Sequence, residues 1–161
     1  VLDDFGSQSN TPWANEKLYQ IINFRYNARL PTVVTTNLAL EDIDPRVRSR
    51  LLDTMLTATH YITAPDYRGG GQGSSDADLN ILSLLRDMTF ATWSDRRQET
   101  TKEEASNLRR ALLKAQSFAE DPEGCLLLGG DHGVGKTHLA AAIANLRAEK
   151  GETVLFITVA D

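Results

Sequence analysis

The sequence predicts an α/β fold with a central parallel sheet, and three stretches carry that expectation. Cys125-Leu126-Leu127-Leu128 is an apolar run that fits a buried strand. It leads through a glycine loop into a helix-forming run from Thr137 to Lys150. Thr32-Val33-Val34-Thr35-Thr36-Asn37 is a second short buried strand, ending in polar residues, and Thr153 to Val159 reads as a third. Apolar strands alternating with helical patterns belong to sheets covered on both faces.

The loop between the first strand and its helix is Gly129-Gly130-Asp131-His132-Gly133-Val134-Gly135-Lys136-Thr137-His138. From Gly130 it reads G-x-x-x-x-G-K-T, and strand, loop and helix in that order is the context a phosphate-binding loop needs. Glycines let backbone N–H groups turn inward around phosphates, and the helix N-terminus adds partial positive charge. A lysine at Lys136 reaches the β- and γ-phosphates of a nucleotide, and a hydroxyl at Thr137 binds Mg²⁺. The stretch implies a nucleoside triphosphate as ligand.

With 161 residues the chain is one domain's worth. Its apolar content of 41%, charged content of 24% and net charge of -5 are those of an ordinary soluble globular protein. The acidic balance argues against nucleic-acid binding except through a local basic patch. The single Cys125 cannot form an internal disulfide, and no Cys/His cluster offers a zinc site. No stretch approaches the roughly 18 apolar residues of a membrane span, and no signal-peptide pattern is present. A cytoplasmic location without membrane contact is expected.

In chain order, Val1-Leu2-Asp3-Asp4-Phe5-Gly6 reads as the end of a buried strand whose beginning is missing. In a phosphate-loop ATPase the second essential strand ends this way: one carboxylate holds Mg²⁺, here Asp3, and the next, Asp4, polarises the attacking water. Thr11-Pro12 opens a helix with Ala14, Leu18, Ile21 and Ile22 at helical spacing. Asn37 ends its strand, where side chains point into the ligand crevice of an open α/β sheet. It serves there either to orient a hydrolytic water or as an ordinary turn residue. Asp44 caps the next helix, with Pro45 at its first position and a stripe of Val47, Leu51, Leu52 and Met55. Arg46 and Arg50 share one face of it, as a solvated surface or as an arginine finger for a neighbouring subunit. His60 to Thr63 reads as a last short strand.

Gly69 to Ser75 is a flexible Gly/Ser linker. Beyond it come a short helix over Leu79 to Leu85, an extended apolar-aromatic piece from Met88 to Trp93, and a Thr101–Glu104 capping box. That box opens a long helix with Leu108, Ala111, Leu112, Ala115 and Phe118 inward.

Taken together, the second half resembles the opening of the AAA+ ATPase domain of DnaC/DnaI-type bacterial helicase loaders, relatives of transposition-helper ATPases. The matching residues are Thr89-Phe90-x-x-Trp93, Asn107-Leu108-Arg109-Arg110-Ala111 and Gly133-x-Gly135-Lys136-Thr137-His138-Leu139-Ala140. The first half resembles the remainder of the same domain. Leu2-Asp3-Asp4-Phe5-Gly6 is similar to its Walker B strand, and Pro31 to Leu38 carries the asparagine of sensor 1. Asp44 to Leu51 is similar to the arginine-finger box. Walker A comes last here, so the halves look circularly permuted. Residues 1–68 form the C-terminal half of the core, 69–77 the linker and 78–161 the N-terminal half, as one structural domain of the three-layer AAA+/ASCE type.

The resemblance implies Mg-ATP binding and hydrolysis. Residues Gly130 to His138 would hold the nucleotide, Thr137 and Asp3 the metal, Asp4 the water, and Asn37 would sense the γ-phosphate. Phe90 and Trp93 would lie near the adenine, and Arg50 would act in trans, with Arg46 a helper. The implied partners are a replicative hexameric helicase and other copies of the chain. Asp4 stands where most AAA+ proteins carry Glu. The family's helical insertion between the strand ending at Asp161 and that beginning at Val1 is absent, which weakens the expectation of single-stranded DNA contact. Two other readings compete: a nucleotide-dependent binding module with negligible hydrolysis, and a small-molecule kinase, for which no basic lid segment is evident.

Overall fold

The computed structural model describes residues 1–7, 11–65, 81–96 and 98–159. Their elements are β1 (Leu2–Phe5), α1 (Pro12–Asn27), β2 (Thr32–Thr36), α2 (Pro45–Leu51), β3 (Thr57–Ile62), α3 (Lys102–Glu120), β4 (Cys125–Gly130), α4 (Lys136–Glu149) and β5 (Ile157–Thr158). The strands form one parallel sheet in the order β3-β4-β2-β1-β5.

Local chemistry starts α1, α2 and α3 where the sequence predicts. The Thr11 hydroxyl accepts from the Ala14 amide at 3.2 Å, with Pro12 next in the chain. The Asp44 carboxylate accepts from the Arg46 amide at 2.8 Å. At α3 both bonds of the capping box are made: the Thr101 amide donates to Glu104 Oε2 at 2.8 Å, and the Glu104 amide to Thr101 Oγ1 at 3.2 Å. Such caps satisfy amides that the first helical turn leaves unpaired.

Alternation along the central strands buries both faces. Val33, Leu126 and Leu128 pack with Leu108, Ala111 and Ala115 of α3 and with Leu139, Ala140 and Ile143 of α4. Val34 and Leu127 point the other way, against Ile22 of α1 and Val47 and Leu51 of α2. This is the three-layer α/β arrangement of a phosphate-loop domain.

The phosphate-loop strand β4 lies between two strands from the other end of the chain. It pairs with β2 from Thr32↔Cys125 to Thr36↔Gly129, and with β3 from Thr57↔Cys125 to Ile62↔Gly130. Asn107 of α3 clamps the same junction: its Nδ2 donates to the Tyr61 carbonyl at 2.9 Å, and its Oδ1 accepts from the Thr63 amide at 3.1 Å.

Several expected elements differ. The strand expected from Thr153 to Val159 pairs as a ladder at Ile157–Thr158, against Leu2 and Asp3 of β1. Leu155, ahead of that pairing, is 53% exposed. Met88 to Trp93 is a turn rather than an extended piece. The Thr92 hydroxyl closes it by donating to the Asp87 carbonyl at 2.7 Å, a local alternative to a strand ladder. The short helix before it is a 3-10 turn over Leu82–Leu85. Leu52 and Met55 follow α2 and are exposed, and so is Ile21 of α1. The Gly/Ser linker, Leu79 and Asp161 lie outside the described residues.

Candidate functional site

At the C-terminal ends of β1, β2 and β4 opens a cleft of about 300 Å³. Asp4 and Asn37 line it from one part of the chain, and His132 to His138 with Trp93 from the other. Among the described residues, two lining side chains carry buried polar atoms without a hydrogen-bond partner, Asn37 Oδ1 and Trp93 Nε1. Buried polar groups are nearly always hydrogen-bonded, so this pair marks a site built for a polar ligand.

Backbone geometry makes the cradle. Gly130 ends β4 at φ +138° and Gly135 precedes α4 at φ +98°, conformations that side chains disfavour. A Cβ on Gly130 would stand 2.3 Å from the Ile62 carbonyl oxygen, and one on Gly135 2.5 Å from the Trp93 ring. Lys136 is 4% exposed, and its Nζ donates to the carbonyls of Gly130 at 3.0 Å and Asp131 at 2.7 Å. The ammonium is thus held inside the curl of the loop, where a polyphosphate would meet it.

The acidic pair sits on a bulge. Leu2 faces Val34 and Phe5 faces Thr36, so β1 takes one more residue than β2 over the same span. A regular strand sends neighbouring side chains to opposite faces; an extra residue re-aims them. Asp4 adopts φ +54°, a left-handed conformation that Asp tolerates better than most residues. It lines the cleft while Asp3, 2% exposed, lies beneath. Burial holds the Asp3 carboxyl above the usual carboxylate range, and the Asp4 charge adds to this. Hydrogen bonds from Thr35 and Thr137 and the charge of Lys136 oppose it. Among the described residues no three His, Cys, Asp or Glu side chains could hold a metal ion. One hydroxyl and one carboxylate, those of Thr137 and Asp3, could hold a cation that keeps waters and shares a ligand's phosphates, the habit of Mg²⁺.

At the other end of the cleft Trp93 packs edge-on against His138, ring centroids 5.4 Å apart. His138 Nε2 lies 2.9 Å from the Thr89 carbonyl oxygen, which can only accept, so that nitrogen carries the hydrogen. Phe90 packs on the core under α3 and α4 and is not among the cleft's lining residues. Arg96, which sequence reasoning missed, lines the cleft instead, and its Nη2 donates to the Pro65 carbonyl at 2.8 Å. It stands at φ +48°, with its carbonyl accepting from the Glu99 amide and the Thr100 hydroxyl, both at 2.9 Å. No spacing rule in the sequence points to it.

Arg50 does not reach this cleft. Its Nε donates to Asn23 Oδ1 at 2.7 Å and its Nη2 to the Tyr19 hydroxyl at 3.3 Å, beside a separate small cavity shared with Arg25 and Tyr26. Arg46 lies over the Tyr19 ring and pairs with Glu16 at 3.0 Å.

A model of the family described as IstB-like ATP binding protein matches residues 77–161, just over half of the chain. The chain belongs to that family. Curated relatives match over part of the chain. The replicative helicase loader DnaC of Escherichia coli K12 is 41% identical over 66 residues, 39% of this chain and 27% of that protein, and DnaC of Shigella flexneri matches with the same figures. The uncharacterized protein YdaV of Escherichia coli K12 is 46% identical over 56 residues, 33% of this chain and 23% of its own length. The matched stretch thus spans about a quarter of these relatives. No solved structure matches. The protein carries a DnaC-type AAA+ domain of an ATP-binding family. Among the described residues no helix is long and apolar enough to cross a membrane.

Proposed function

We propose that this domain binds Mg-ATP and hydrolyses it as the AAA+ engine of a cytoplasmic helicase loader, with its catalytic site completed by a neighbouring copy. The observation that carries this reading is the convergence of Asp4 and Asn37 with Lys136 and Thr137 on one cleft, although they lie at opposite ends of the sequence. The same convergence, with β4 between β2 and β3, supports reading residues 1–68 and 78–161 as permuted halves of one domain.

Bound together, ATP and Mg²⁺ supply the phosphoryl group and the charge neutralisation that its transfer to water needs. Lys136 binds the β- and γ-phosphates as a buried cation. The Thr137 hydroxyl and the Asp3 carboxylate would hold the metal. Asp4, turned into the cleft by the bulge, orients the attacking water and draws on its proton, with Asn37 as the second hydrogen-bonding group beside the γ-phosphate. Arg50 lies off its own cleft, which suits a finger offered to the next subunit. The similarity to the replicative helicase loader DnaC supports a replicative hexameric helicase as partner, while the acidic balance weighs against single-stranded DNA as a contact.

The test is specific ATPase activity across a wide protein-concentration series. Activity should rise with concentration and fall on the order of a thousandfold in Arg50→Ala. Flat, near-zero turnover with intact ATP binding supports a second reading, a nucleotide-dependent binding module. The hydrogen bonds from Arg50 to Asn23, Tyr19 and Ser49 favour that second reading, since they must be given up before the guanidinium can serve a neighbour.

A further inference from the structure

Thr35 lies in the middle of the sheet, 0% exposed, directly opposite the bulge that holds the acidic pair. Its hydroxyl makes two bonds at once: Oγ1 donates to Asp3 Oδ1 at 2.7 Å and accepts from the Asp4 amide at 2.9 Å. The amide can only donate, so it occupies an oxygen lone pair and leaves the single hydroxyl hydrogen to Asp3. One atom therefore ties the Asp3 carboxylate, which also receives a hydrogen bond from Thr137, to the left-handed backbone of Asp4. The branched side chain restricts χ1 and keeps that oxygen aimed. The adjacent Thr36, equally buried, bonds backbone only: it donates to the Phe5 carbonyl at 2.8 Å and accepts from the Leu38 amide at 3.1 Å.

We propose that Thr35 is the positioning residue of the metal and water carboxylates, coupling the strand that ends at Asn37 to the bulged Asp3–Asp4 strand. The inference rests on the proposed Mg-ATP site. Without the hydroxyl, Asp3 keeps the Thr137 hydrogen bond but loses the one from the sheet, and the Asp4 amide loses its acceptor, while the sheet and the glycine cradle stay in place. Outer-shell partners of this kind commonly change metal affinity by about ten- to a hundredfold when removed.

The experiment compares the full chain with Thr35→Val, which keeps the shape, Thr35→Ser, which keeps the hydroxyl, and Thr36→Val. ATP affinity is measured with Mg²⁺ and with EDTA, and exchange of the Asp4 amide is followed without nucleotide. In Thr35→Val, affinity in EDTA should stay within about twofold while the tightening by Mg²⁺ shrinks by roughly ten- to a hundredfold. The Asp4 amide should exchange faster. Thr35→Ser should restore most of both, and Thr36→Val should lower thermal stability without changing the Mg²⁺ effect. Full Mg²⁺ tightening in Thr35→Val, equal impairment in Thr35→Ser, or parallel loss of affinity in EDTA would each overturn the proposal. A wild-type chain whose ATP affinity ignores Mg²⁺ would instead overturn the metal-site reading on which it rests.

Discussion

Trp93 lies across Gly135, its ring 2.5 Å from where a Cβ on that glycine would stand. The contact joins the turn after the 3-10 segment to the phosphate loop at the residue that precedes Lys136. Gly135→Ala would meet both the ring and a backbone at φ +98°. Backbone strain of this kind costs on the order of 1–3 kcal/mol. ATP affinity, titrated by calorimetry, is expected to fall by roughly tenfold to a hundredfold. Trp93→Ala in the same background should relieve part of the loss, because it removes the ring but not the strain.

The backbone at Asp4 decides which substitution tests its chemistry. At φ +54° an alanine would add strain to the loss of the carboxylate, whereas asparagine adopts this conformation readily. Asp4→Asn is therefore expected to bind ATP within a fewfold of the unmodified protein. Its single-turnover hydrolysis should drop by about a hundredfold or more, the usual share of a general base.

The phosphate loop was legible in the sequence because its demands are local. A backbone that must curl around a ligand needs glycines, and Lys136 and Thr137 follow at fixed spacing. The helix starts at Thr11, Asp44 and Thr101 were legible for the same reason, since a cap and its amide lie within three residues. Features that depend on a distant partner were not. The bulge at Asp3–Asp4 exists only relative to β2, and the extent of β5 shows only in its pairing with β1. Thr35 reads as one more β-branched strand residue until its neighbours across the sheet are known. Arg50 drew notice through its spacing from Arg46, and the family resemblance favoured it as a finger; its geometry alone describes a tethered, half-buried arginine.

The capping box at α3 gives a stability prediction that is independent of nucleotide. Thr101→Ala removes the acceptor for the Glu104 amide and leaves an orphan donor at the start of the helix that packs Leu108, Ala111 and Ala115. The loss should be about 1 kcal/mol in denaturant unfolding, with ATP affinity unchanged.

His60 makes stability depend on pH in a direction that can be worked out. It sits on β3 with its Nε2 3.1 Å from the Asn107 carbonyl, facing Lys114 and Arg110 of α3. Burial holds its pKa below the ordinary value of 6.5, and the two cations lower it further, against the hydrogen bonds to Asn107. The unfolded chain therefore takes up a proton at His60 before the folded one does. The stabilisation is complete above about pH 6.5 and is lost as the pH falls from there through the depressed folded value. His60→Gln keeps a donor for the Asn107 carbonyl and cannot titrate. Its unfolding temperature should decline less steeply than that of the unmodified protein as the pH falls below about 6.5, and superimposable slopes would mean that other groups govern the acid limb.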